Sequence, residues 1–257
     1  MVNRHAVLVP EAVERALGDT TFAKLMASKR RLPDSHPHSQ RVSRLGARLA
    51  RLAAAGDGGK GYTSHLADCA WRFVVVQDPD INACALPGGK VVINSGLVDR
   101  FEGDDDALAF VIAHEIGHVT ARHSAEQLTL SAATQVMAVV AQTIVAVAGA
   151  AGGAGAALDT RGRETMESLL QMGLFRPRSR EQEFEADAIG VDLCARAGFG
   201  PPAAGSLRVF QCFDEMARRQ GSPSGGVEKL FSFMSTHPTP RDRALAVRER
   251  AQLMLAR

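Results

Sequence analysis

The sequence is poor in aromatic residues and nearly balanced in charge. Its 257 residues include one Trp and one Tyr, and the formal net charge is +2 at pH 7. So few aromatic rings form no platform on which bases could stack, and so small a net charge forms no basic surface for phosphates. We therefore expect no nucleic-acid partner.

Cysteines are also scarce, and no targeting signal is visible. The four cysteines form no C-x-x-C pair and suggest no disulfide framework, so we interpret them as small buried apolar groups. Residues 1–10 lack the charged, apolar and cleavage regions of a secretory signal. This start is compatible with a protein that is not secreted in this way, with a fragment or with a mature form.

The composition is that of a globular protein, with 46% hydrophobic and 23% charged residues. The length allows one large domain or two small ones. A glycine-rich stretch at 56–61 separates two helical patterns from a block rich in β-branched residues. We expect an N-terminal helical segment at 1–62, packed on a larger domain at 63–257, with the two forming one structural unit.

Hydrophobic periodicity predicts an α+β fold that is mainly helical. Apolar residues recur at helical intervals over 10–30 and again over 42–55. Three short runs then predict a small sheet, at Trp71–Val76, Ile81–Ala85 and Lys90–Asn94. An edge strand of such a sheet could pair with an extended peptide through backbone hydrogen bonds.

The segment His114-Glu115-Ile116-Gly117-His118 has the H-E-x-x-H pattern. Residues four apart lie on one face of a helix, so His114 and His118 can each give a nitrogen to one Zn²⁺. Glu115 points beside the metal, which suits a general base that deprotonates a zinc-bound water. Acidic residues at 104–106 favour a helix start, and the apolar neighbours predict a buried helix whose histidines face a cleft.

A catalytic zinc site keeps three protein ligands and one open position, so a third ligand is needed. The extended pattern H-E-x-x-H-x-x-G-x-x-H is excluded, because Ala121 and Ser124 replace its Gly and its third His. His123 lies five residues after His118, about 140° further around a continuous helix. We therefore interpret His123 as a helix-surface residue.

A later helix offers carboxylates instead. Ser179 is placed to cap this helix. Glu183 and Asp187 share one of its faces, so Glu183 could bind the metal while Asp187 accepts a hydrogen bond from a ligand histidine. Spacing alone does not exclude two other carboxylates in this stretch, Glu181 and Glu185.

Two further regions bear on function. His237 lies in a turn and Arg241 begins the last helix, where both could stabilise a developing oxyanion. Residues 127–158 carry no charge and are long enough for one membrane span. A single crossing would separate a later ligand from the histidines, so we favour a long helix that is mostly buried or contacts a membrane or a partner with its apolar face.

Four motifs in this order resemble the HtpX-like zinc metallopeptidases. That family includes the CAAX prenyl proteases and the mitochondrial inner-membrane metalloendopeptidase whose activity overlaps that of the m-AAA protease. The motifs lie at Asn82–Lys90, His114–His118, Ser179–Asp187 and Thr236–Arg241. The resemblance covers about residues 8–250 and is strongest to the soluble, mitochondrial-type branch. Cys84 departs from that branch, which usually carries an aromatic residue there.

The resemblance implies a zincin-like fold with one Zn²⁺ per chain, held by His114, His118 and Glu183. It implies that Glu115 is the catalytic base and that Asp187 supports a ligand histidine. His237 and Arg241 would lie at the mouth of the active site. The residues implied to bind substrate are Pro87, Gly88, Gly89, Lys90, Val91 and Val92.

The sequence thus predicts a zinc metalloendopeptidase that cleaves unfolded or membrane proteins in membrane or envelope quality control. The alternative is a latent or non-catalytic zinc-bound chaperone or assembly factor of the same fold. The resemblance implies membrane association, either of the mitochondrial inner-membrane type or in a bacterial periplasm or envelope.

Overall fold

The computed structural model describes residues 9–56, 64–130, 178–220 and 240–256. Its helices are α1 (Glu11–Ser28), α2 (Pro37–Ala55), α3 (Ser64–Ala67), α4 (Ser95–Arg100), α5 (Asp105–Thr120), α6 (Arg180–Arg196), α7 (Ala204–Gln220) and α8 (Pro240–Leu255). Its strands are β1 (Arg72–Val76), β2 (Ala83–Leu86) and β3 (Lys90–Asn94). Residues 123–130 are helical as well. The predicted class, α+β and mainly helical, is confirmed.

The three strands form one sheet in the order β1-β3-β2, with β3 parallel to β1 and antiparallel to β2. The tight connection between β2 and β3 requires glycine, because Gly88 and Gly89 have φ values of 76° and 87°. The central strand is therefore β3, and β2 is the edge strand that packs against α5. This order places an edge of the sheet beside the H-E-x-x-H helix.

Helix α5 lies at the centre of the main hydrophobic core. It packs against α2, α6 and α7, and its side chains at Leu108, Ile112 and Ile116 are fully buried. Helix α2 turns its apolar face, including Leu45 and Leu49, into the same core. A helix surrounded in this way needs apolar residues on all sides, which explains why α5 lacks a polar face.

The opposite face of the sheet is covered by α1. Phe22 of α1 packs with four sheet residues in a second, smaller cluster, which are Val74, Val76, Leu86 and Val92. Alternate residues of β1 and β3 enter the main core instead, because successive side chains of a strand point to opposite faces. The sheet is thus buried on both faces.

Most element boundaries agree with the predicted ones to within two residues. The start of α2 is the largest shift, since this helix begins at Pro37, five residues before the predicted apolar pattern at 42–55, whereas β2 begins two residues after the predicted Ile81. All four cysteines are free: Cys194 and Cys212 are buried as expected, and Cys69 and Cys84 are partly exposed. Most of the predicted linker at 56–61, residues 131–158 of the uncharged stretch and His237 lie outside the described residues. No described helix has the length and apolar character to span a bilayer.

Candidate metal centre

Helix α5 begins at an acidic cap. Asp104 accepts a hydrogen bond from the backbone N–H of Ala107 at 3.0 Å, as expected for a residue that caps a helix. Asp105 and Asp106 occupy the first turn, where carboxylates complement the exposed N–H groups. Arg208 of α7 donates two hydrogen bonds to Asp104, at 2.6 and 2.8 Å. The start of the motif helix is therefore held both locally and by a neighbouring helix.

Helix α6 begins at the predicted cap. Ser179 Oγ accepts a hydrogen bond from Gln182 N at 3.2 Å, and Gln182 Oε1 accepts one from Ser179 N at 3.1 Å. This reciprocal pair is a capping box, which satisfies two backbone donors that the helix itself leaves open. The box fixes the first turn of α6 immediately before Glu183.

Small residues allow α5 and α6 to cross closely. A Cβ atom added at Gly117 would lie 2.8 Å from the backbone oxygen of Ala186, and one added at Gly190 would lie 3.2 Å from the backbone nitrogen of His114. The first distance is shorter than any ordinary contact, so the crossing depends on glycine in α5. It brings the face of α6 that carries Glu183 against the two histidines of α5.

Two imidazole nitrogens and one carboxylate converge at this crossing. His114 Nε2 and His118 Nε2 are 3.0 Å apart, and the oxygens of Glu183 lie 3.5 and 3.4 Å from them, respectively. Three ligand atoms that bind one tetrahedral zinc at about 2.1 Å are about 3.4 Å from one another. These atoms lie within 4.8 Å of one another and the residues are buried, so the donor set fits zinc.

The two other carboxylates that spacing allowed lie elsewhere. Glu181 is exposed at the start of α6. Glu185 is turned toward His123, with its Oε2 3.4 Å from His123 Nε2. Among the described residues, Glu183 is therefore the carboxylate that faces both motif histidines.

Asp187 and a buried arginine lie behind the donor set. Asp187 Oδ1 is 2.9 Å from His114 Nδ1, the ring nitrogen that points away from the donor set. Arg243 of α8 donates two hydrogen bonds of 2.7 Å to Asp187 and lies 2.8 Å from Glu183 Oε2. One guanidinium thus holds the carboxylates of Glu183 and Asp187 in place.

The arrangement matches a known family over most of the chain. The sequence model of peptidase family M48 matches residues 38–251, which include all the residues that converge here. The chain belongs to peptidase family M48. Its members are peptidases that depend on a metal, in agreement with the donor set of two histidines and a glutamate.

Individual M48 relatives align over most of the chain. It is 33% identical to mitochondrial metalloendopeptidase OMA1 of Schizosaccharomyces pombe over 92% of its length and 60% of that relative. It is 30% identical to mitochondrial metalloendopeptidase OMA1 of Saccharomyces cerevisiae over 92% of its length and 63% of that relative. The β-barrel assembly-enhancing protease of Escherichia coli is 32% identical over 72% of the chain and 35% of its own length. The chain thus spans less than two thirds of these relatives.

The electrostatics of the M48 centre favour a cation beside its carboxylates. Burial lowers the pKa of His118 well below its ordinary value, and the adjacent His114 acts in the same direction. Burial also opposes protonation of His114, but Asp187 and Glu183 outweigh it and raise the pKa of His114. Burial would raise the pKa of Asp187, yet Arg243 and His114 hold this pKa below its usual range. A metal ion would supply the positive charge that the carboxylates of Glu183 and Asp187 attract.

The interpretation of His123 as a surface residue is wrong. His123 is 1% exposed, and its Nδ1 lies 2.7 Å from His118 Nδ1. His123 would lie about 140° further around than His118 only on one continuous helix. Helix α5 ends at Thr120 instead, and the chain turns at Arg122, which has a φ of 56°. A left-handed residue other than glycine costs about 1 kcal/mol and breaks the helical rotation.

Contacts to α1 hold this turn. Arg122 donates hydrogen bonds of 3.0 and 2.8 Å to Glu14 Oε2 and one of 3.1 Å to the backbone oxygen of Val9. Glu14 is 8% exposed, and burial raises its pKa against the opposing effect of Arg122. The N-terminal helix therefore stabilises the backbone that brings His123 to His118.

Arg243 was not predicted as a site residue from the sequence. The sequence pattern pointed to Arg241, which is the second residue of α8 and whose side chain lies outside the described part of the structure. Side chains two positions apart on a helix point in directions that differ by about 200°. Helical periodicity could therefore have identified Arg243 as the alternative to Arg241. The roles predicted for Arg241 and His237 stay predictions.

The residues predicted to bind substrate, Pro87–Val92, are buried. Lys90 forms an ion pair with Asp19 of α1, and Val91 and Val92 belong to the two hydrophobic clusters. Both backbone edges of β3 are already paired, so within the described sheet β2 is the strand beside α5 with an unpaired edge. A substrate contact by Pro87–Val92 stays a prediction.

The variant Gly117→Ala tests the helix crossing. Its Cβ would overlap the backbone oxygen of Ala186, which cannot rotate away. We expect a loss of about 2 kcal/mol in the free energy of unfolding, since overpacking outweighs the gain in helix propensity. Urea denaturation measures this change. Gly190→Ala is the matched control with a looser contact and should lose less than about half as much; equal stability of both variants would contradict the close crossing.

Proposed function

We propose that the chain is a zinc-dependent metalloendopeptidase. In this proposal His114, His118 and Glu183 hold one Zn²⁺ and Glu115 acts as the general base. The convergence of these three side chains within 4.8 Å, beside the buried Glu115, carries the proposal. The names of the M48 relatives, metalloendopeptidase and protease, support it.

The residues around the metal would have different roles in the reaction. When bound there, zinc would polarise the peptide carbonyl and lower the pKa of a water molecule. Glu115 would take a proton from the attacking water and deliver it to the leaving amine. Asp187 accepts a hydrogen bond from Nδ1–H of His114, which leaves the Nε2 lone pair directed at the donor set. Arg243 keeps Glu183 and Asp187 oriented. No covalent intermediate with the protein is needed.

An extended peptide would bind along the edge of β2. Asn94 N donates a 3.0 Å hydrogen bond to Asn82 O, which makes these two residues a hydrogen-bonded pair. Because such pairs alternate in an antiparallel ladder, the N–H and C=O groups of Ala83 and Ala85 point away from β3. In the described part of the chain no backbone group pairs with this edge. A substrate strand could therefore add to it.

The position of Cys84 supports this placement. Although Cys84 as a residue is partly exposed, burial of its thiol raises the pKa of that group to about 12, and the charge of Glu115 acts in the same direction. Cys84 belongs to β2, the strand that packs against α5, and α5 carries the proposed base. A peptide on this edge would run beside Glu115, with Pro87–Val92 supporting the strand from behind.

The wider role is proposed on the resemblance and on the relatives. His237 and Arg241 would stabilise the oxyanion at the mouth of the site. Substrates would be unfolded or membrane proteins, and the location would be a mitochondrial inner membrane or a bacterial envelope. The names of the relatives, mitochondrial metalloendopeptidase and β-barrel assembly-enhancing protease, support such surroundings. The core shared by α2 and α5 supports one structural unit that spans 1–62 and 63–257.

Metal removal tests the proposed function directly. The purified protein should contain about one zinc per chain and cleave casein, a flexible substrate that can adopt an extended form. Dialysis against a chelator should reduce cleavage to the level without enzyme, and added Zn²⁺ should restore it. Added Mg²⁺ is the control and should not restore cleavage, because Mg²⁺ prefers octahedral oxygen ligands. Cleavage that persists in zinc-free protein would refute the proposal.

A further inference from the structure

A buried chain of hydrogen-bonding groups leads away from the second motif histidine. His118 directs Nε2 to the donor set and Nδ1 to His123, where the two Nδ1 atoms are 2.7 Å apart. His123 Nε2 in turn lies 3.4 Å from Glu185 Oε2. His118 and His123 are 2% and 1% exposed, so bulk water does not replace these partners.

The direction of the hydrogen bonds follows from metal binding. A metal ion at His118 Nε2 takes the lone pair of that nitrogen, so the proton of the neutral ring must be on Nδ1. His118 Nδ1–H can then only donate, and His123 Nδ1 must accept. A neutral His123 that accepts at Nδ1 carries its proton on Nε2, which points at the carboxylate of Glu185. Glu185 therefore selects the form of His123 that can accept from His118.

We propose that His123 and Glu185 are positioning residues that hold His118 in the orientation and tautomer needed to bind the metal. The inference rests on the proposed function and deepens it. Asp187 has the same relation to His114, so each motif histidine has its own acceptor. Outer partners of this kind orient ligand histidines and raise their basicity.

Two features of the fold support a positioning role for His123 and Glu185. The left-handed turn at Arg122 breaks the helix so that His123 returns to His118, and Glu14 of α1 holds that turn. The other oxygen of Glu185, Oε1, is buried and has no hydrogen-bond partner within the described ranges. The hydrogen bonding of Glu185 there is thus confined to His123.

Zinc affinity, measured by competition with a chromophoric chelator, tests this inference independently of proteolysis. His123→Leu removes the acceptor and should weaken zinc binding about 10- to 100-fold. Glu185→Gln should weaken it by a smaller factor, because the amide still accepts a weaker hydrogen bond. His123→Gln offers a carboxamide oxygen to His118 and should recover part of the affinity. In the cobalt-substituted protein, His123→Leu should also change the visible absorption bands, which report the ligand geometry.

His65→Leu is the matched control. His65 is a half-buried histidine that lies 3.3 Å from the backbone oxygen of Val119, near the end of α5. The zinc affinity of the His65→Leu protein should stay within about twofold of wild type. Wild-type affinity and an unchanged cobalt spectrum in both Glu185→Gln and the His123 variants would overturn this inference alone. A wild-type protein that binds no zinc would overturn the proposed function as well.

Discussion

Glu115→Gln is expected to retain about one zinc per chain and to cleave casein at least about 100-fold more slowly than wild type, the usual contribution of a general base. The amide has the same shape as the carboxylate but cannot take a proton from water. Glu115 is 2% exposed, so a neutral group there should not weaken the fold. The three proposed ligands are untouched. Zinc content by elemental analysis and initial cleavage rates, measured on the same preparations, check both parts.

Glu102→Gln is the control for this comparison, since it makes the same change at an exposed position just before α5. Its cleavage rate should stay within about twofold of wild type. A Glu115→Gln variant that cleaves at the wild-type rate would exclude Glu115 as the base. Zinc-bound wild-type protein that cleaves nothing would favour the latent or non-catalytic alternative.

Arg243→Gln is expected to lower the free energy of unfolding of the zinc-free protein by about 3 kcal/mol, because it leaves two buried carboxylates without their shared cation. Arg243 is 5% exposed and contacts both Glu183 and Asp187. Bound zinc supplies positive charge to Glu183, so the loss should be smaller in the zinc-loaded protein. Urea denaturation with and without zinc measures the two losses.

The exposed Arg248 on the same helix provides the control. Arg248→Gln removes the same group from α8 and should change stability by no more than about 0.5 kcal/mol. If Arg243→Gln behaves like Arg248→Gln, the buried contacts to α6 do not stabilise the fold. A loss that does not depend on zinc would mean that Arg243 acts on packing and not on the charge of the metal centre.

Some of the site was predictable from local patterns and some was not. The cap at Ser179 and the shared face of Glu183 and Asp187 follow from helical spacing, and the structure has both. The surface position of His123 was predicted from the same rule and is wrong, because the rule holds only while the helix continues. The turn that ends it depends on Arg122 and its partner Glu14, which is 108 residues away in sequence.

The sequence by itself determined the class of the fold and the two helices that carry the chemistry. Spacing of four residues on a helix is a local property, so it placed His114 with His118 on one face. The tertiary structure decided which of three carboxylates faces them, because that depends on how α6 crosses α5 at Gly117. It also decided which arginine is buried at the centre and which strand forms the edge. These are contacts between distant segments, which local periodicity does not encode.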